Sequence, residues 1–193
     1  TTYILSQIDN LDRCVALNIG LCGTQDRSHN RGTPILVNKV RDRDTGYEYF
    51  PDILFSHNMI EGGVETHSVL VSLENQPPIE EKFVDMEASG FFEGASTFLP
   101  PHRISCIKVV SDYLDGYIPD KTDVIHMIGE VIPAIDCIYR VMEYHMEHST
   151  VVLDDREKTY LDRIAEHIRL TVSQTHELYD MAFKYKLRTG EDI

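Results

Sequence analysis

Two short apolar runs, each ending in a carboxylate, most constrain how this chain can fold. Residues 83–88 read Phe-Val-Asp-Met-Glu-Ala, and residues 108–112 read Lys-Val-Val-Ser-Asp. Such runs are typical of buried strands, and α/β sheets bind their ligands beyond the carboxyl ends of the strands. We therefore expect Glu87 and Asp112 to open into one crevice at that edge. The pair suits a small polar ligand with hydroxyls at one end and a basic ring nitrogen at the other.

Predicted strands and helices alternate along the first two thirds of the chain. Apolar runs predict strands at 14–19, 34–40, 52–55, 67–72, 84–87 and 104–110, and helical spacing predicts helices at 1–11 and 88–98. Residues 20–23, which include two glycines, are predicted to form a turn after the first strand. This alternation predicts an α/β fold in which helices flank a mostly parallel or mixed central sheet.

The remaining part of the sequence predicts long helices. Apolar residues recur every three or four positions over 122–148, where Pro133 is expected to kink the helix rather than end it. A further long helix is predicted to begin at Asp154 or Asp155 and to end before Gly190. We therefore predict one α/β domain over 1–150 and an appended C-terminal helix over 151–193 that packs on the same domain.

Composition and charge exclude several classes of partner. The formal net charge is -14, from 32 acidic and 18 basic residues, so the surface repels the phosphate backbone of nucleic acids. No apolar run approaches the roughly 20 residues of a membrane helix, which predicts that no membrane is a partner. The four cysteines lack CxxC and metal-ligand spacing. Free thiols of this kind favour a cytoplasmic location.

Three short motifs, at 18–23, 84–88 and 109–112, follow one another in a recognisable order. They read Asn-Ile-Gly-Leu-Cys-Gly, Val-Asp-Met-Glu-Ala and Val-Val-Ser-Asp. In this order the chain resembles the purine nucleoside phosphorylase and nucleosidase superfamily, which includes the methylthioadenosine/adenosylhomocysteine nucleosidases. The resemblance covers residues 1–148. It implies a nucleoside phosphorylase-like fold, a nucleoside or purine base as small-molecule partner, and neither a metal nor an organic cofactor.

The resemblance also implies a reaction, the cleavage of the bond between a purine base and ribose. Glu87 would accept hydrogen bonds from the ribose hydroxyls, with Met86 packed on the sugar. Asp112 would protonate the base at N7, and Ser111 would orient it, which makes these two the predicted catalytic residues. A free aspartate has a pKa near 3.9, so Asp112 needs a pKa raised by desolvation to act as an acid.

Six more residues are predicted to bind substrate on the same grounds. They are Gly20, Leu21, Cys22, Gly23, Asp85 and Lys108. Lys108, if it points at the site, would push the pKa of Asp112 down. Simpler interpretations stand beside these: Glu87 as a surface or helix-capping acid, and Asp112 as the first residue of an Asx turn.

The chain departs from the superfamily pattern at two places. A glycine-rich strand and turn that in nucleosidases carries the water-activating acid has no counterpart ahead of the first predicted helix. Asn18 and Leu21 occupy positions where phosphorylases have Arg and Ser for phosphate, which disfavours phosphorolysis. We therefore expect a hydrolytic nucleosidase, complete in itself or completed by a further N-terminal segment, and a homo-oligomer. The alternatives are a non-catalytic nucleoside-binding module and a structural oligomerisation domain with a vestigial site.

Overall fold

The computed structural model of the chain describes residues 1–11, 14–72, 74, 78–148 and 153–193, without the side chains of 145–148. The strands are β1 Ala16–Thr24, β2 Pro34–Asp42, β3 Glu48–Tyr49, β4 Ile60–Thr66, β5 Phe83–Asp85 and β6 Ile104–Asp112. The α-helices are α1 Thr2–Leu5, α2 Ala88–Ser96, α3 Lys121–His148, α4 Asp155–His167 and α5 Val172–Thr189. Across the described residues, no helix combines the length and apolarity needed to span a bilayer.

The six strands form one mixed sheet that closes on itself. Their order is β3-β2-β4-β5-β1-β6, and β6 also pairs with β2, so five strands make a ring. The pairs β2–β4, β4–β5 and β1–β6 are parallel, whereas β1–β5, β2–β6 and β2–β3 are antiparallel. The predicted α/β fold with a mixed sheet flanked by helices is confirmed.

The core lies between the strands and α2. It is made of fully buried side chains, among them Ile35, Val37, Val40, Val64, Phe83, Ala88, Ala95 and Cys106. Phe83 needs the space beside Gly62, because a Cβ at that glycine would overlap the Phe83 ring. This close approach brings β5 against β4 and fixes where the chain leaves the sheet for α2.

The predicted turn at residues 20–23 is wrong, because β1 continues through both glycines to Thr24. Gly20 pairs with Lys108, and Gly23 pairs with Asp112 on one side and Val84 on the other. The register shifts between Cys22 and Gly23, where the strand forms an irregularity. The glycines therefore allow side chains of neighbouring segments to approach β1 closely, and they do not reverse the chain.

Two other predicted strands are also absent from the sheet. Residues 67–72 form no strand after β4, although the His67 amide still donates to the Asp85 carbonyl oxygen, and residues 52–55 form no strand either. Val69 and Leu70, the apolar residues that suggested a buried strand, are 66% and 63% exposed. These two apolar side chains instead line a cavity that is described below.

The described residues divide into two compact units. One consists of Thr1–Ile53 and His57–Arg140, and the other of Leu54–Ser56 and Val141–Ile193. The second unit contains α4 and α5, whereas one continuous helix was predicted. A helix does begin at Asp155, but Arg169 takes a φ of 57°, and a new helix starts after Thr171. The packing of 151–193 on the first domain stays a prediction.

Candidate active site

A cavity of about 440 Å³ lies in the first unit, over β1 and beside the ends of β5 and β6. The structure brings all ten predicted site residues to its walls. They are Gly20, Leu21, Cys22, Gly23, Asp85, Met86, Glu87, Lys108, Ser111 and Asp112. A volume of this size falls within the range of small-molecule sites. Glu87 and Asp112 thus share one hollow.

The strand arrangement that brings the two acids together differs from the expected one. β5 and β6 are not neighbours, because β1 lies between them, antiparallel to β5 and parallel to β6. Asp112 pairs with Gly23, whereas Lys108, the neighbour of Glu87, pairs with Gly20. Three residues of strand span about 10 Å. Glu87 and Asp112 therefore stand at opposite ends of the cavity.

Glycines in β1 leave the room that both ends require. A Cβ at Gly20 would lie 3.0 Å from Lys108 Nζ. At Gly23, a Cβ would overlap Leu114 Cδ2 and lie 2.8 Å from Asp112 Oδ1. A side chain at Gly20 would crowd Lys108, and one at Gly23 would displace Leu114 or Asp112, so both positions favour glycine.

The Glu87 end is built on a buried ion pair. Lys108 Nζ lies 2.6 Å from Asp85 Oδ2, and the side chains are 1% and 0% exposed. Burial disfavours a charged amine, but the Asp85 carboxylate outweighs it, and the pKa of Lys108 is raised above its ordinary value. Asp85 also accepts hydrogen bonds from the Thr66 hydroxyl, at 2.6 Å, and from the Ala88 amide, at 2.9 Å. The ammonium is therefore fixed and charged at neutral pH.

Glu87 itself remains available to a ligand. Its carboxylate is 71% exposed, with Oε2 at 4.0 Å from Lys108 Nζ. Glu87 occupies the N-cap position of α2, yet its side chain caps no amide of the helix. The capping interpretation is therefore wrong. Met86 beside it is 46% exposed and offers apolar surface to the cavity.

The Asp112 end is held by local hydrogen bonds. Asp112 Oδ2 accepts from the Ser111 hydroxyl at 2.6 Å, and Oδ1 accepts from the Leu114 amide at 2.9 Å. The second bond, between residues two apart, is the Asx turn that the sequence left open. Ser111 Oγ also lies 3.2 Å from the Cys22 carbonyl oxygen. Asp112 thus both makes a turn and lines the cavity, and Ser111 touches it as expected.

Lys108 points toward the Glu87 end of the cavity and makes its ion pair with Asp85. Cys22, which also lines the cavity, is 2% exposed. Burial raises the pKa of its thiol well above the ordinary value, although Lys108 opposes the shift. Cys22 is therefore a protonated wall residue and not a nucleophile.

Sequence reasoning missed several apolar residues of the cavity. They are Ile19, Val69, Leu70, Val71, Val84 and Leu114, to which the polar Asn18 is added. The segment 69–71 was assigned to a strand, although a run of three apolar residues is too short to decide between a strand and a pocket wall. Among the described residues, no cluster of His, Cys, Asp or Glu has the arrangement of a metal site.

Comparison of the sequence with models of protein families and with curated proteins gives no match. Solved structures do match. The nucleosidase MTAN from Chlamydia trachomatis, in its adenine-bound form, gives a TM-score of 0.54 at 20% identity over 65% of this chain and 64% of that one. The MTA-bound form gives 0.53 at 19% identity, over 66% and 65%. The chain has a nucleoside phosphorylase-like fold.

This likeness confirms the expected fold. The chain spans less than two thirds of the length of the Chlamydia nucleosidase chains. At this identity the comparison concerns the backbone arrangement, and the chemistry of the site has to be argued from its own residues.

Proposed function

We propose that this chain binds a purine nucleoside in the cavity, with the ribose at Glu87 and the base at Asp112, and hydrolyses the bond between them. The observation that carries the proposal is the placement of both acids at opposite ends of one hollow of about 440 Å³. The binding of adenine and of MTA by the fold neighbours from Chlamydia trachomatis supports this ligand class.

The Glu87 end suits a sugar. An exposed carboxylate accepts hydrogen bonds from two neighbouring hydroxyls, and Met86 supplies apolar contact for the ring carbons. As the glycosidic bond breaks, positive charge develops on the ribose, and a nearby carboxylate stabilises it. Lys108 makes its short contact with Asp85 and lies 4.0 Å from Glu87, so the negative charge of Glu87 stays available to the ligand.

The Asp112 end suits a base. A protonated Asp112 would give its proton to N7 while the bond between C1' and N9 breaks, so the base leaves as a neutral molecule. Water adds its oxygen to C1' and releases one proton to solvent. The products are the free purine and ribose. Ser111, hydrogen-bonded to Asp112 Oδ2, would orient the carboxyl group during the transfer.

A second candidate, binding without turnover, is favoured by one feature of the site. Three carboxylates line the cavity in the described part of the chain: Asp85, Glu87 and Asp112. Asp85 is occupied by Lys108, Thr66 and the Ala88 amide. With Glu87 on ribose and Asp112 on the base, no carboxylate among these three is left to activate water.

Base release decides between the two. The purified chain is incubated with 5'-methylthioadenosine, and free adenine is measured by chromatography, with binding measured in parallel by calorimetry. Hydrolysis predicts steady adenine release that Asp112→Asn lowers by about 10²–10⁴-fold. Asp115→Asn, a change in the same turn but outside the cavity, should leave release unchanged. Tight binding with no adenine release would support the second candidate.

Ligand binding at the Glu87 end has its own matched test. Glu87→Gln should weaken the binding of 5'-methylthioadenosine more than that of adenine, which lacks the ribose. Glu93→Gln on α2, an exposed glutamate outside the cavity, serves as the control. If neither ligand raises the melting temperature of the wild-type chain, both ligand-binding proposals fail. The structural oligomerisation domain is then the remaining interpretation. The homo-oligomeric state and the cytoplasmic location stay predictions.

A further inference from the structure

A second cavity adjoins the Asp112 end of the first. It has a volume of about 180 Å³ and is lined by Gln25, Asp26, Ile79, Glu81, Lys82, Val84 and Leu114. Of its walls in the described residues, only Val84 and Leu114 also line the larger cavity. Both are nearly buried and pack in one apolar cluster with Val71 and Ile79. Val84 and Leu114 therefore form the partition between the two cavities.

Of the two partition residues, Leu114 is the one that can be substituted without altering a strand of the sheet. Val84 belongs to β5 and pairs through its backbone with Gly23, whereas Leu114 lies in the turn after β6. Its φ of 57° is unusual for a residue with a branched side chain. The conformation places its side chain on Gly23, next to the Asp112 carboxylate. The Leu114 amide also donates a hydrogen bond to Asp112 Oδ1, so the backbone of Leu114 helps to position the acid.

The chemistry of adenine makes this position selective. N7 and the exocyclic amino group at C6 share one edge of the ring. A base that presents N7 to Asp112 therefore places its C6 amino group beside the same carboxylate, where Leu114 is an adjoining wall of the cavity. A substituent on that amino group would have to occupy the space of Leu114 or enter the second cavity behind it.

We propose that Leu114 is a specificity-determining residue, which closes the cavity beyond Asp112 and excludes purines substituted on the C6 amino group. The inference rests on the proposed function, since it assumes a base at Asp112. The second cavity, of about 180 Å³, has polar walls but offers the apolar side chains of Ile79 and Val84 to an aromatic or alkyl substituent once the partition is opened.

Binding of adenine and of N6-benzyladenine, measured by calorimetry on the full chain, tests the proposal. The wild-type protein should bind adenine at least about tenfold more tightly than N6-benzyladenine, a typical steric discrimination in an apolar pocket. Leu114→Ala should bring the two affinities together by tightening the binding of N6-benzyladenine. Leu114→Gly should do the same without backbone strain, because glycine adopts a positive φ freely.

Ile79→Ala is the matched control. It removes a side chain of the same volume from the second cavity but leaves Leu114 in place, so the wild-type ratio should persist. Equal affinities in the wild type, or an unchanged ratio in folded Leu114 variants that bind adenine, would overturn the inference alone. Loss of adenine binding in every protein, wild type included, would overturn the proposed function and the inference together.

Discussion

In each of the two units a buried carboxylate lies 2.6 Å from a lysine, and the two pairs have different surroundings. Lys108 lies 2.6 Å from Asp85 in the sheet, and Lys186 lies 2.6 Å from Glu157 in the helical unit. The Lys108 pair is 1% and 0% exposed, whereas the Lys186 pair is 15% and 4% exposed. The chemistry is the same, and the surroundings differ.

The Glu157 carboxylate also accepts hydrogen bonds from two backbone amides. It accepts the Asp154 amide in the capping box that starts α4, and also the Ile193 amide. That pair joins α4 to α5, and Lys186 also lies 3.2 Å from a second, exposed acid, Asp192. Lys108 likewise has a second acid, Glu87, at 4.0 Å, but Glu87 lines the cavity of about 440 Å³. The difference teaches that a buried ion pair indicates a binding site only where a further charged group beside it lines a cavity.

The largest effect is expected from Lys108→Met. The substitution leaves the Asp85 carboxylate buried without its counter-charge, and such losses cost about 3–5 kcal/mol. Urea unfolding of the wild type and the variant measures the difference. Adding Asp85→Asn should recover part of the stability, because the uncompensated charge is gone. A loss below about 1 kcal/mol would mean that the ion pair contributes no more to the free energy of unfolding than a solvent-exposed pair does.

Gly23→Ala sharpens the comparison at the other end of the cavity. The added methyl overlaps Leu114 Cδ2 and crowds Asp112 Oδ1, so the site must shift. Overpacking of this kind costs about 1–3 kcal/mol. Thermal unfolding measures the loss, and adenine binding should weaken as well. Gly46→Ala, where a Cβ meets nothing within 4 Å, controls for glycine substitution, although its φ of 74° adds backbone strain of its own.

Lys186→Met should destabilise the protein less than Lys108→Met does. Lys186 is 15% exposed against 1% for Lys108, so its removal brings water closer to Glu157, which is itself 4% exposed. The Glu157 carboxylate also keeps its hydrogen bonds from the Asp154 and Ile193 amides. Hydrogen exchange of the α4 and α5 amides should report the loss, with the sheet amides as an internal reference. A loss as large as that of Lys108→Met would remove the distinction between the two pairs.

The smallest effect is the contribution of Glu157 to the pH dependence of the helical unit. The pKa of Glu157 is lowered from its ordinary value of 4.5, first by the hydrogen bond from Lys186 and then by the Asp154 amide. A lowered pKa stabilises the fold above 4.5, and that contribution disappears as the pH falls through the folded value. The protection factors of the α4 amides, which are exchange rates corrected for the intrinsic effect of pH, should therefore fall in acid. Glu157→Gln should flatten this response.

The sequence predicted the parts of the fold that local patterns encode. The runs at 83–88 and 104–110 became β5 with its acids and β6, and the periodicity over 122–148 became α3. Asp154 caps α4 as an acid at a helix start should. The ten predicted site residues line one cavity, and all but Lys108 belong to the three short motifs; their roles stay predictions.

The remaining features depend on residues far apart in the chain. Nothing near Gly20 reveals that Lys108 will lie against it, so its pattern indicated a turn. β4 contains Gly62 and Gly63, and because glycine is uncommon inside strands the sequence pattern did not indicate β4. Glycine is required at position 62 because the Phe83 ring occupies the space of a Cβ there. The break between α4 and α5 does have a local signal, the Thr171 and Gln174 capping box, which the continuous apolar stripe obscured.

A crystal structure of the chain with 5'-methylthioadenosine tests the central claim most directly. The account predicts the ribose hydroxyls within hydrogen-bond distance of Glu87 and the purine edge against Asp112, in one ligand that spans the cavity. A ligand bound elsewhere, or one whose sugar lies at Asp112 and whose base lies at Glu87, would contradict it.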